Sequence, residues 1–267
     1  MLADNTLFFG AFVLYFLAAC CGIIALLSDK RAIRITGRLL AVIGLAANTM
    51  ALLARYLAAG HLPFASMYEF GMVMVWLTVV FWIVLERRLQ LPVLGAFMPF
   101  MAVLLSGVFL TFYQEARPLI PALKSNWLLA HVITAVMAYG ALALSFGLAL
   151  IYFWLQRFGE AAQRSANMRR TVFWVDRTIL LAMPFLTLLI VTGAVWAEYA
   201  WGSYWRWDPK ETWSLITWLI YIIYLHGRYL RNWTTNLSMI VAVLGFLAVL
   251  FTFIGVNLLL PGLHSYV

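Results

Sequence analysis

The stretch Trp201-Gly202-Ser203-Tyr204-Trp205-Arg206-Trp207-Asp208-Pro209-Lys210-Glu211-Thr212-Trp213 decides how the rest of the chain is read. It holds four tryptophans, a tyrosine, two cations and two carboxylates between two long apolar runs. A bilayer core has no water to satisfy polar groups, so this cluster belongs at a membrane surface. Aromatic faces with a few cations at such a surface suit a flat, amphipathic, anionic ligand.

The composition outside the cluster points the same way. Of 267 residues, 65% are hydrophobic and only 10% are charged, with a mean hydropathy of +0.94. No soluble domain could bury that much apolar surface. A spanning helix needs about 20 apolar residues, which leaves room for about eight spans with short loops. The expected fold is all-α: a polytopic membrane protein of about eight transmembrane helices, forming one integral-membrane domain over 1–267. No cleavable signal peptide is expected, because the first apolar run, Leu7 to Leu27, is too long and lacks a basic flank. The net charge of +8 sets topology and meets anionic head groups; it does not imply nucleic acid. Cys20 and Cys21 are adjacent inside the first run, lack CxxC spacing, and read as small buried residues.

Taken in order, the spans fall near 7–27, 39–58, 70–85, 91–112, 127–155, 178–198, 211–225 and 237–260. Gln156 to Arg177 is then the longest basic loop, and Pro118 and Pro121 break the segment after the fourth span. Alternate connections carry the cations: Lys30, Arg31, Arg34 and Arg38; Arg87 and Arg88; Arg157, Arg164, Arg169, Arg170 and Arg177; Arg228 and Arg231. The other side has only Arg55, Arg117, Lys124, Arg206 and Lys210. The basic side is cytoplasmic by the positive-inside rule. Both termini and the Trp-rich loop, at about 199–213, then lie on the outer side.

The four histidines sort by depth under this topology. His61 lies in the first outer loop. His131 lies just inside the outer end of the fifth span, and His264 in the outer tail. His226 lies at the inner end of the seventh span, about 25 Å from Asp208 at 1.5 Å per residue. Neutral imidazole suits iron, copper or zinc, and the alternative is a histidine that only hydrogen-bonds to water or a carbonyl. Asp208-Pro209-Lys210-Glu211 also reads as an ordinary helix start, with Asp as cap, Pro at the first position and Glu completing a capping box. Arg206 and Lys210 stand as partners for carboxylates or lipid phosphates, or as surface charges. Glu69 pairs with an outer cation such as Arg55, or only begins a helix. Phosphate loops, HExxH, GxSxG and CxxCH are all absent. Any chemistry therefore belongs to a bound group, and no catalytic side chain is assigned.

Trp201 to Trp213 resembles the WWD signature of haem-handling membrane proteins. With Thr217-Trp218, Tyr224-Leu-His226-Gly-Arg228, His61 to Glu69 and Gly262-Leu-His264-Ser-Tyr266, it resembles the CcsA (ResC) family of system II cytochrome c biogenesis. The resemblance covers roughly Arg55 to the end. It implies haem b as cofactor, with His131 and His264 as the outer axial ligands of its iron. Trp201, Gly202, Trp205, Trp207, Asp208 and Trp213 would form the surface on which it lies, with Arg206 and Lys210 beside it. His226 would ligate a second, inner haem position. It further implies a CcsB (ResB) membrane partner and apocytochrome c, whose CxxCH thiols add to the haem vinyl groups. The activity is that of a cytochrome c haem lyase (synthase) subunit in the bacterial inner (plasma) membrane, with the thylakoid membrane as the alternative location. A CcmC-like haem exporter without ligation activity is the alternative function. A non-haem transporter is the contrasting class, and it predicts a colourless protein.

Overall fold

The computed structural model describes residues 3–28, 30–89, 91–119, 123–159, 161–260 and 262, without the side chains of 87 and 161. The described residues are helical with short connections and contain no strand. The helices are α1 (Ala3–Ser28), α2 (Arg31–Ala59), α3 (Met67–Leu89), α4 (Leu94–Leu110), α5 (Asn126–Phe158), α6 (Ala161–Trp201), α7 (Pro209–Leu230) and α8 (Thr235–Leu250). A π-helical turn, Phe251–Gly255, joins α8 to α9 (Val256–Leu259). Among the described residues, six helical stretches are long and apolar enough to cross a membrane: α1, α2, α5, most of α3 and α6, and the run 235–259. The helix α4 has 17 residues and falls short of that length. With 22 residues α7 is long enough, but polar and aromatic residues lower its hydropathy.

The chain packs as two compact units, Met1–Ile120 and Pro121–Val267. In the first, α1 and α2 form an antiparallel pair with a seven-residue rhythm. The helix α1 buries Asp4, Phe8, Ala11, Tyr15, Ala18, Gly22 and Ala25; α2 buries Gly37, Ala41, Gly44, Asn48, Ala51 and Arg55. Small residues on such a seam let backbones approach closely, which favours helix association where lipid removes the hydrophobic drive. The approach of α1 to α4 is closer still: a Cβ on Gly22 would lie 2.1 Å from the Gly95 carbonyl oxygen. The opposite faces expose Phe9, Phe16, Ile24, Leu39, Ile43 and Leu57, as a lipid-facing surface requires.

One end of this unit is tied by a buried ionic cluster. The Arg55 guanidinium donates from Nε to Glu69 Oε1 (2.8 Å) and from Nη1 to Asp4 Oδ2 (3.1 Å) and the Gln114 carbonyl (2.8 Å). Glu69 Oε2 accepts from the Ala65 amide at 2.7 Å. These bonds gather the start of α1, the end of α2, the start of α3 and the segment after α4, so the four helices alternate in direction. The Arg55–Glu69 pair is the one weighed from sequence; Asp4 is an addition. At the opposite end Arg38 donates to Glu86 at 3.0 Å.

In the second unit α5 is the enclosed helix, with 78% of its apolar window buried against 33% for α6. The 41 residues of α6 span about 60 Å, twice a bilayer core. The basic stretch expected as a loop up to Arg177 is therefore helical from Ala161 onward. Its Ala, Gln, Met and Arg content favours helix, and it contains neither Pro nor Gly after Gly159. Asp176 in that extension accepts from Tyr224 Oη (2.6 Å) and Arg228 Nε (3.2 Å), which fixes the far end of α7.

Candidate functional site

The site is built where α6 ends and α7 begins. Trp201 is the last residue of α6 and Trp213 lies in the second turn of α7, so the irregular turn proper is 202–208. Gly202 leaves the helix at φ +70°, a left-handed conformation that a side chain resists. Asp208 caps α7: its Oδ1 accepts from the Lys210 amide at 3.0 Å. Glu211 Oε2 reaches back and accepts from the Asp208 amide (3.1 Å) and the Arg206 amide (2.8 Å). The capping box expected from sequence is thus present, and it also holds Arg206, whose guanidinium donates to the Trp201 carbonyl.

Trp207 has φ +58° and the residue is 68% exposed. A bulky residue in that conformation costs on the order of 1 kcal/mol or more, and in water an exposed indole gains little packing in return. Trp207→Gly should therefore stabilise the ligand-free chain by up to about 1 kcal/mol, read as a higher unfolding midpoint. A lowered midpoint would show instead that the ring holds the turn together. Tyr199 and Tyr204 are exposed beside it in sequence, so the turn presents aromatic surface outward.

Behind the turn runs a row of rings. Trp196 meets Trp201 edge-on at 4.9 Å between centroids. On its other side Trp196 lies nearly parallel to the His131 imidazole, at 6.4 Å and 16°. The His131 Nδ1 lies 2.8 Å from the Leu189 carbonyl. A carbonyl only accepts, so Nδ1 carries the proton, and in the neutral ring Nε2 carries the lone pair. Gly193 makes this approach possible: a Cβ there would lie 2.7 Å from Nδ1 and 2.8 Å from Cε1. No motif in the sequence marks Gly193 or the Leu189 carbonyl, because the contact joins residues 58 apart.

The π-helical turn supports the site from below. Phe251 packs on Trp213 at 4.3 Å, and Thr252 Oγ1 lies 3.2 Å from the Trp213 carbonyl. Phe253 sits 5.7 Å beneath Lys210 Nζ. Burial pushes the Lys210 ammonium down to about 8, against the pull of Asp208. Gly262 also abuts the cap, where a Cβ would lie 2.7 Å from Asp208 Oδ2.

The structure thus brings together His131, Trp201, Trp205, Trp207, Asp208, Lys210, Arg206, Gly202 and Trp213 at one end of the unit. His226 lies at the other end of α7, exposed, with Arg231 Nε 3.4 Å from its Nε2. His264 lies outside the described residues. His61 has Nδ1 2.8 Å from the Leu62 carbonyl and Nε2 3.0 Å from the Arg117 carbonyl, so it ties two loops together. Among the described residues no group of three His, Cys, Asp or Glu could hold a bare metal ion. A porphyrin supplies four nitrogens to its iron and asks the protein for only one or two.

Residues 64–264 match the family described as Cytochrome C assembly protein. The cytochrome c biogenesis protein CcsA of Mesostigma viride is 37% identical over 243 residues, covering 79% of each chain. That of Synechococcus sp. (strain CC9902) is 36% identical and covers 98% of this chain and 96% of its own. A solved structure, the cytochrome c haem lyase CcmF, superposes with a TM-score of 0.73 at 19% identity, over 94% of this chain. The chain spans under half of that lyase, 46% of its length, and the likeness speaks for the fold alone. The chain belongs to the cytochrome c assembly protein family, in its CcsA branch.

Proposed function

We propose that this chain is the membrane subunit of a system II cytochrome c synthase, which presents haem b at the Trp-rich turn for thioether attachment to apocytochrome c. The observation that carries this reading is the oriented His131. Its Nδ1–H is held by the Leu189 carbonyl, the arrangement that fixes ring and tautomer in metal-ligating histidines. The ring lies against Trp196, next to the turn. His131 and His264 are the axial pair for the outer haem. Gly262, two positions before His264 in the sequence, is set against Asp208. The exposed Trp207 and its strained backbone suit a turn that gains its packing from a flat ligand. Haem is the substrate here; its iron and vinyl groups supply the bond-forming chemistry with the client's thiols.

The topology belongs to the same proposal. The six long apolar helices, with α4 and α7, make eight spans. Both termini and the Trp-rich turn lie on the outer side, and the basic connections face the cytoplasm. The membrane is the bacterial inner membrane or a thylakoid membrane. His226 serves an inner haem position whose second ligand comes from a CcsB (ResB) partner, in keeping with its exposure on α7.

The test is the absorption spectrum of the purified chain, made with its partner in haem-replete cells, in wild type and in His131→Ala, His264→Ala and His226→Ala. A reduced bis-histidine haem spectrum is expected, weakened by either outer variant, with the residual haem lost on removing His226. A colourless wild type, or three variants with unchanged spectra, would overturn the proposal. Lys210 adds a pH dependence. An anionic propionate favours the charged ammonium, whose pKa in the ligand-free chain is about 8. Haem retention should be level below that pH and fall as pH rises through it. Lys210→Met should remove this step, and a step that persists in the variant would assign it to another group.

A further inference from the structure

His226 and Arg231 meet at the end of α7. The Arg231 Nε–H group donates toward His226 Nε2, at 3.4 Å. A guanidinium only donates, so Nε2 supplies the lone pair, and in the neutral ring Nδ1 carries the proton. The ring nitrogen able to take a metal is thus covered by an arginine. The backbone holds the two residues together. The Arg231 amide donates to the His226 carbonyl at 3.2 Å, and the Trp233 amide to the Gly227 carbonyl at 3.0 Å. Asn232 turns the chain back at φ +49°, and the Trp233 ring lies over Gly227 where a Cβ would stand. None of these contacts uses the Arg231 side chain. Arg228, the other cation of this turn, is paired with Asp176 at 3.2 Å. Among the described residues Arg231 has no carboxylate partner. The helix dipole accounts for a cation at this end, but not for a guanidinium aimed at a ring nitrogen rather than at the terminal carbonyls.

We propose that Arg231 is the propionate anchor of the inner haem position: it covers His226 Nε2 until iron takes that nitrogen, and its guanidinium then pairs with a haem carboxylate. This inference rests on the inner position proposed above. The exchange is balanced. One hydrogen bond at Nε2 gives way to the iron, the released N–H donors gain an anionic acceptor, and no proton leaves the ring. Guanidinium and carboxylate form charge-assisted hydrogen bonds, which match in geometry as well as in charge. The surroundings suit the rest of a porphyrin. Ile222, Ile223 and Leu230 lie three or four positions from His226, on the same helical face. They are exposed and offer apolar surface to the macrocycle. A free inorganic anion would use the arginine alone.

The experiment titrates the full-length chain, made with its partner in haem-depleted cells, with haem and with haem dimethyl ester. The ester keeps the iron and the ring but has no free carboxylate. The quantity read is the His226-dependent part of the Soret absorbance, obtained by difference from His226→Ala. By this measure wild type is expected to bind haem about tenfold more tightly than the ester. Arg231→Gln should bind the two alike, and Arg231→Lys, which keeps the charge, should regain part of the preference. Both variants should keep an unfolding midpoint close to wild type, because the turn is held through backbone atoms. Equal affinity of wild type for haem and ester, or a preference that survives in Arg231→Gln, would overturn the role of Arg231. Tighter binding of both porphyrins by Arg231→Gln would also overturn it, leaving the arginine as a shield of His226 alone. A wild type without any His226-dependent absorbance would instead overturn the inner haem position itself, and this inference with it.

Discussion

Replacing Arg55 with Leu is expected to destabilise the protein by about 3–5 kcal/mol, because the change leaves two buried carboxylates without their cation. Arg55, Asp4 and Glu69 are each at most 4% exposed, so water cannot take over the role of the guanidinium. The loss spreads beyond the pair itself. Arg55 also donates to the Gln114 carbonyl, and Glu69 holds the loop before α3 through the Ala65 amide. One substitution thus releases the helix ends at that side of the first unit together. Asp4→Asn should cost less, about 1–3 kcal/mol, since the amide still offers an oxygen to Nη1 and Glu69 keeps the charge balanced. Unfolding of the detergent-solubilised chain, followed by circular dichroism, ranks the two variants. Equal midpoints for Arg55→Leu and wild type would mean that the cluster is solvated in the membrane.

The second large effect concerns Gly193. An alanine there adds one methyl group 2.7 Å from His131 Nδ1, so the imidazole must leave the Leu189 carbonyl. Removing such an orienting contact costs about 10–100-fold in metal affinity. Haem retention in Gly193→Ala should therefore fall by that factor, approaching His131→Ala. Alanine favours the helical backbone over glycine by about 0.5–1 kcal/mol, so the unfolding midpoint should stay close to wild type. This separates loss of the site from loss of the fold. Unchanged haem retention in the variant would show that the Nδ1 contact has no part in ligation.

What the sequence makes legible here, and what it hides, follows from the range of each interaction. The membrane class rests on composition, and the Asp208 cap on four consecutive residues, so both can be read directly. The Trp-rich turn is legible for the same reason, although its helical edges at Trp201 and Trp213 extend further inward than composition suggests. The basic run before Arg177 misleads because charge resembles a loop, whereas backbone propensity and the Asp176 contacts to α7 keep it helical. Asp4 and Arg55 are 51 positions apart, and a carboxylate near a chain start carries no mark of the guanidinium it meets. The Gly193 contact is hidden in the same way: a missing side chain has meaning only once the neighbour that fills its place is known.

The π-helical turn of 251–255 carries a consequence in angle rather than in contact. A π turn accommodates one residue more than the α-helix around it. Deleting a single residue there would restore a regular helix and swing everything that follows by about 100° around its axis. Phe251 and Thr252 now face Trp213, and Gly262 now faces the Asp208 cap. After such a deletion the aromatic support could stay in phase, or the tail could, but not both. The turn acts as a phase shifter that lets one helix serve two directions. Chain length between Trp213's neighbours and the terminal segment is therefore as constrained as the identity of the residues along it.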